Sequence, residues 1–300
     1  MKKLLIEMNK AKYLYLLMLF PAAFYLVFHY FPMYGISIAF RDFLPSKGFF
    51  RSEWVGLRNF QWLIIDGFFW RAFRNTIEIS LSRIAIGFTP PIILALLFSE
   101  MRGKRYKRVL QTFYTFPHFL SWVIISGLML NILVSDGVLN NLLSALGLPN
   151  NTLLTNGTHF RFLLYGSDIW KSVGWSSIIY LAAIAGINPE IYEAAQVDGA
   201  GRFRCMLHIT IPELFPTMSV LLILSFGNVM NAGFDQIFNM YNSTVRGSAE
   251  IIDTYLFSIA FTRADYSFAT AIGLFKSIIN FVLLLIANQG VKLLGGRGIF

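Results

Sequence analysis

The side chains able to do chemistry in this chain are few, and no motif gathers them. The four histidines, His29, His118, His159 and His208, are scattered over different regions. The single cysteine, Cys205, can form neither an intrachain disulfide nor a multi-cysteine metal site. There is no His-Glu-x-x-His and no Gly-x-Ser-x-Gly, so a membrane-embedded transferase or protease has no convergent set of acids, histidines or serines to work with. What remains is the chemistry of recognition. Asn228, Asn231 and Asp235 are spaced three and then four apart, which on one continuous helix puts them on one face. A stripe of amides and a carboxylate suits a sugar, whose hydroxyls need donors and acceptors. Trp170, Trp175 and Tyr180 are rings on which the apolar face of a sugar could stack. The competing reading has the two amides bonding to a neighbouring helix and the tryptophans anchoring at the membrane interface. Glu78, Arg83 and Lys276 stand as isolated charges in apolar runs, and such groups pair inside the protein or reach outward to water.

The elements that position these residues are spans. Of the 300 residues, 56% are hydrophobic and 14% charged, where a soluble domain carries roughly a quarter charged residues. That balance predicts an all-α integral membrane protein rather than an aqueous globule. A bilayer core needs about 20 mainly apolar residues per helix, because only a helix satisfies its own backbone there. Six runs qualify, near 13–39, 76–98, 109–133, 162–187, 215–233 and 268–291. They make one membrane domain over 1–300, with a first helix at 13–39 and a five-helix core at 76–291. The first run is too long for a cleaved signal peptide, whose apolar stretch spans about 7–15 residues. Pro21 and Pro32, Pro90 and Pro91, and Pro117 interrupt three of the runs, as kinks or as hinges. No internal repeat supports an inverted-repeat secondary transporter.

The net charge of +9 fits cytoplasmic loops rich in Lys and Arg, and no basic stretch sits on a module for nucleic acid. Arg102, Lys104, Arg105, Lys107 and Arg108 crowd the short turn after the second run and place it in the cytoplasm, which puts both termini there as well. Lys2, Lys3, Lys10, Lys12, Lys292 and Arg297 agree, while Arg41, Lys47, Arg51, Arg58, Arg71 and Arg74 in the expected outer loop oppose it.

The most informative segment joins the fourth and fifth runs, at 188–213. Asn188-Pro189-Glu190 reads as a helix start, with acidic residues near the positive end of the dipole, small residues Ala194 and Ala195 next, and a break at Gly199. Glu193-Ala194-Ala195, then three residues, Gly199, nine residues and Ile209-Thr210-Ile211-Pro212 resembles the signature of the permease subunits of binding-protein-dependent ABC importers. The departure is Ile211 in place of Leu. The resemblance implies the type I importer permease fold, with a short cytoplasmic helix that inserts into a groove of a separate ATPase. Carried over, Glu193, Ala194, Ala195, Asp198 and Gly199 form the coupling surface, and Ile209 and Pro212 lead back into the fifth helix. The chain lacks the Gly-x-x-x-x-Gly-Lys-Ser/Thr loop that wraps phosphates, so energy must come from another polypeptide.

Phe116-Pro117-His118-Phe119-Leu120-Ser121-Trp122-Val123, 169–175 and 271–277 look like the carbohydrate branch, nearest to permeases for polysaccharide fragments such as uronate-containing oligosaccharides. That likeness implies a bacterial cell-membrane subunit that is not itself an enzyme and holds no cofactor, with ATP and Mg bound by its ATPase subunits. The implied partners are a second, homologous permease, against which the first helix packs, two ATPase subunits, an extracellular solute-binding protein, membrane lipid and the oligosaccharide. An amino acid, phosphate or another small solute stands as the alternative cargo on the same architecture.

Overall fold

In a computed structural model, residues 11–293 are described; Lys2, Lys3, Lys10 and Arg297 lie outside them. The described residues are predominantly helical, and their one sheet is a two-residue antiparallel pair, Arg41–Asp42 against Glu53–Trp54. Five helices are long and apolar enough to cross a membrane: Lys12–Phe40, Gly67–Glu100, Trp122–Ala145, Arg202–Gly227 and Tyr266–Leu293. The remaining expected span is Gly157–Ala185, whose 29 residues extend about 44 Å at 1.5 Å each. It has the length but carries Arg161, Asp168 and Lys171, which lower its apolarity. These are called spans one to six in chain order, with Gly157–Ala185 as span four.

The chain divides into two compact units, residues 1–65 with 257–275 and residues 66–256 with 276–300. In the first unit, span one winds as an α-helix to Tyr25, widens to a π turn at Leu26–Tyr30 and tightens to a 3₁₀ helix at Phe31–Phe40. Pro21 lies inside the α-helical part, so the winding changes further on rather than at Pro21 itself. Every residue from 12 to 34 is exposed. The segment after it is built rather than loose. Asn59 Nδ2 donates to Ala39 O at 2.8 Å and Arg41 O at 3.1 Å. The Arg41 guanidinium lies over Phe49 and Trp54 and donates to Phe49 O and Ser52 O. Arg58 pairs with Asp42 at 3.1 Å, and Phe43 N donates to Ser267 Oγ at 2.8 Å.

In the second unit, span two starts at Gly67, nine residues before the expected position, because Asp66 caps it by accepting from Phe68 N. A second helical segment begins at Thr89, with the Pro90-Pro91 pair in its first turn where a missing N–H leaves no bond unmade. The basic turn is shorter than expected: Lys104, Arg105, Lys107 and Arg108 already belong to a helix, Lys104–Thr115. That helix gives way to a 3₁₀ turn at Phe116–Phe119, and span three restarts at Trp122 under the Ser121 cap. One apolar cluster joins Ile79 of span two, Phe160 and Leu164 of span four, and Ile237, Met240 and Ile251. Another joins Ile92, Leu96, Tyr180 and Leu214.

The charges expected to pair do so. Arg161 of span four donates to Glu78 Oε2 and to Asn75 Oδ1, each at 2.8 Å, and to Ser248 O at 3.0 Å. Asn75 Nδ2 in turn donates to Gly247 O and Glu250 O. Glu250, with a side chain 1% exposed, accepts from Arg246 and pairs with Arg71 at 3.4 Å. Bonding to Glu250 raises the Arg246 pKa further above its ordinary range. Lys276 reaches Asp253 at 2.6 Å and Asn231 Oδ1 at 3.0 Å.

Span four passes the Lys104–Thr115 helix at Gly174, where an added Cβ would strike the Tyr114 carbonyl carbon and oxygen. Only backbone fits there. Gly174→Val is expected to cost about 2 kcal/mol or more, the range of forced overpacking, and to lower the thermal unfolding midpoint of the detergent-solubilised protein relative to Ser172→Ala.

Candidate coupling helix and translocation cleft

The segment between spans four and five folds as its residues dictate. Asn188 caps the helix Pro189–Val197, its Oδ1 accepting from Glu190 N at 3.1 Å, and Pro189 occupies the first turn. The helix ends in a Schellman arrangement: Ala200 N donates to Ala195 O at 2.8 Å and Gly199 N to Gln196 O at 3.0 Å. Gly199 has φ +81°, in the left-handed region, and its surroundings are open. The break at Gly199 and the start at Asn188 therefore stand as the residue types imply.

The helix presents Glu193, Ala194, Asp198 and Gly199 to the outside, with Ala195 half-buried. Val197 is 87% exposed and Phe203 69%, an apolar display in a charged connection. Two bonds tie this segment to the body. Tyr192 Oη shares a hydrogen bond of 2.9 Å with Thr210 Oγ1 at the foot of span five, and Arg202 pairs with Glu100 at 3.9 Å. A cavity of about 520 Å³ lies between them, lined by Ser99, Arg102, Tyr192, Gln196 and Cys205 among others. Span five starts at Arg202, so Ile209 and Pro212 lie within it rather than before it. A π turn at Met206–Thr210 takes up the winding just ahead of Pro212. Such turns relieve the ladder where proline removes a donor.

The expected pathway stripe is divided. Span five ends at Gly227; Asn228 is its C-terminal cap, Asn231 lies in a 3₁₀ turn, and Ala232 and Gly233 both adopt left-handed conformations. Asp235 belongs to a separate helix, Phe234–Met240. The three do not share one helix face, because the chain reverses its local handedness between them. Asn231 Nδ2 donates to Asn228 Oδ1, while Asn231 Oδ1 accepts from Lys276. The tryptophans are elsewhere. Trp175 stacks on His118 with ring centres 4.6 Å apart, and Trp170 lines an apolar groove of about 760 Å³ with Val109, Phe113 and Phe116.

What the fold brings together instead is a polar cleft of about 380 Å³ between spans two, four and five, lined in part by Arg83, Asp168, Ser172, Ser176, Tyr180 and Asn228. Arg83 Nη1 lies 3.8 Å from Asp168 Oδ1. Its Nη2 bonds to Gln236 Oε1, and Gln236 Nε2 donates to Leu164 O at 2.9 Å and Ser167 Oγ at 2.8 Å. Of the residues expected on the pathway, Asn228 and the ring of Tyr180 line this cleft. Arg83 was legible only as an isolated charge in an apolar run. Among the described residues, no group of three or more His, Cys, Asp or Glu is placed to hold a metal ion.

A helical membrane chain with a capped, exposed loop helix and a polar cleft is the build of a permease. Residues 87–297 match the family described as binding-protein-dependent transport system inner membrane component, and the chain belongs to that family. It is thus an ABC importer permease subunit of the inner membrane, not a catalytic enzyme, and the ATPase is a separate subunit. The chain is 42% identical, over 100% of its own length and 94% of the relative, to the polygalacturonan/rhamnogalacturonan transport system permease protein YteP of Bacillus subtilis (strain 168). It is 42% identical to Protein LplB of the same organism, over 98% and 92%. Its fold matches a chain of a bacterial ABC transporter involved in the import of the acidic polysaccharide alginate, with TM-score 0.89, 37% identity, and 97% and 98% of the two chains covered. The same transporter in complex with an alginate pentasaccharide-bound periplasmic protein matches at TM-score 0.88 and 37% identity, over 98% of each chain.

Gly199→Val is expected to weaken the helix end by about 1–2 kcal/mol, the cost of a left-handed L-residue, because the strain is in φ and not in space. Gly199→Asn should cost less. Limited proteolysis of the inserted protein around 196–202 checks the order: Val nicked fastest, then Asn, then wild type.

Proposed function

We propose that this subunit forms half of the translocation path for an oligosaccharide or polysaccharide fragment, and that the Pro189–Val197 helix couples that path to ATP hydrolysis on a separate subunit. The observation carrying the coupling is the state of that helix: fixed at both ends by its caps and exposed along Glu193, Ala194 and Asp198. A helix presenting small residues lets another backbone come close. Its tie to span five through Tyr192 and Thr210 gives a push from below a rigid route into the membrane. Ile209 and Pro212 sit at the π turn where that push would be absorbed or passed on. The surface carries two acidic residues, Glu193 and Asp198, and apolar residues but no nucleotide-binding loop, and ATP and Mg belong to the ATPase in this reading.

The relatives' cargo supports a sugar, and the cleft's hydroxyls and amide supply the donors and acceptors that a sugar needs. Asn228 is the pathway residue this reading keeps in the cleft; Asn231 and Asp235 stand at the broken end of span five beside it. Trp170 and Trp175 act at the surfaces they line rather than on the cargo. The assembly includes a second, homologous permease, two ATPase subunits and an external solute-binding protein. Span one, exposed on every side from 12 to 34, fits packing against that second permease. Both termini are cytoplasmic in this reading. Four of the six basic residues that opposed that orientation have partners: Arg41 and Arg58 within their own segment, Arg71 with Glu250 and Arg74 with Glu78.

Tagged subunit purified in mild detergent should bring a second permease and an ATPase with it, identified by mass spectrometry. Reproducible recovery without any ATPase would sink the coupling reading. Glu193→Lys should leave the assembly inserted while lowering uptake about 10-fold or more and leaving ATP hydrolysis no longer stimulated by loaded binding protein. Normal stimulated hydrolysis and normal uptake in that variant would return the helix to a plain connection.

A further inference from the structure

We infer that Arg83 is a subsite for the carboxylate of an acidic sugar unit in the cargo. The inference rests on the oligosaccharide reading above and adds the charge of the cargo to it. Arg83 stands on the wall of the cleft between spans two, four and five, with a side chain 14% exposed. Its Nε is buried and has no hydrogen-bond partner among the described residues. Among the described residues, its Nη1 pairs with Asp168 at 3.8 Å, close enough for ionic attraction but beyond hydrogen-bonding range. Its Nη2 is held by Gln236, which is itself fully buried and anchored on span four through Leu164 O and Ser167 Oγ. The guanidinium also lies against Gly233, where an added Cβ would meet its Nη1, Cζ and Nη2 atoms.

One corner of the fork is therefore clamped, and the rest is short of acceptors. A buried donor left unmade is costly, and a guanidinium answers best to a planar anion with two oxygens. A sugar hydroxyl would accept a single bond from the charged donor, without the second parallel acceptor and the counter-charge that a carboxylate brings. The surroundings fit a sugar acid: Ser172, Ser176, Tyr180 and Asn228 line the same cleft and can serve ring hydroxyls. Asp168 sets the limit on affinity. Its carboxylate, 34% exposed, already faces Arg83 and would be released or repelled as a cargo carboxylate arrives. A permease site needs that balance, favourable enough to enter and weak enough to leave.

The test uses the complete importer in proteoliposomes, with partner permease, ATPase and binding protein, and two probes of equal length: a galacturonate tetrasaccharide and its methyl ester. Uptake by each variant is divided by wild-type uptake of the same probe, which removes the selection made by the binding protein. Arg83→Gln should lower acid uptake about 10-fold or more, the scale of a lost charge-assisted bond, and leave the ester within about twofold. Arg83→Lys keeps the charge and should keep most of the acid uptake. Asp168→Asn should lower KM for the acid and not for the ester. Equal loss of both probes in Arg83→Gln, or an unchanged acid signal, overturns the subsite while the permease reading stands. If Arg83→Gln does not assemble, an unchanged acid KM in Asp168→Asn overturns it. A wild-type importer that takes up neither probe sinks the cargo reading and the subsite with it.

Discussion

A cation set among apolar helices has to find its acceptors inside the protein, and Arg161 shows how much follows from that. Its guanidinium takes Glu78 and Asn75 from span two and Ser248 O from the segment before the last span. Asn75 then holds the carbonyls of Gly247 and Glu250, and Glu250, almost fully buried, gathers Arg71 and Arg246. Glu250, 1% exposed, has no room for water in place of these partners, so removing Arg71 or Arg246 leaves its carboxylate to bear the cost of desolvation. Spans two and four are thereby set in register with the segment 246–250.

That register creates the cleft. With spans two and four held together, Arg83 and Asp168 face each other a turn or two further along, at a separation that attracts but does not bond. Span five completes the wall with Leu221, Leu224 and Ser225 and ends at Gly227, with Asn228 as its cap. The left-handed pair Ala232 and Gly233 then turns the chain so that Gln236 reaches back to Arg83 and to Leu164. At the other end of span five, the π turn before Pro212 and the Tyr192–Thr210 bond connect the same helix to the exposed Pro189–Val197 segment. A single span thus touches both the cleft and the proposed coupling surface, which is the mechanical requirement of a subunit whose energy arrives from outside.

Legibility followed from how local each determinant is. The helix after Asn188 and its end at Gly199 were readable because cap chemistry acts within a few residues. The pairing of Glu78, Arg83 and Lys276 was readable as a necessity, though not their partners. The stripe of Asn228, Asn231 and Asp235 was misplaced, since equal spacing puts residues on one face only while the helix continues, and two left-handed residues end it here. The start of span two was misplaced for a related reason: apolarity begins near 76, whereas the helix begins where Asp66 can cap it. Span four starts at Gly157, five residues before the expected position, because Asn156 caps it and Arg161, which precedes the apolar run, lies inside the helix.

From the sequence alone came the class of solvent, the number of spans, the short helix between Asn188 and Gly199 and the family signature, because composition, run length and fixed spacing are properties of the chain itself. Tertiary structure decided which charges meet, which side of the breaks each amide falls on, and that Arg83 rather than a tryptophan stands in the cleft. Those outcomes depend on helices distant in sequence coming within a few ångströms of one another. No local rule sets that distance; it is set by how the helices pack and by which polar groups that packing buries together.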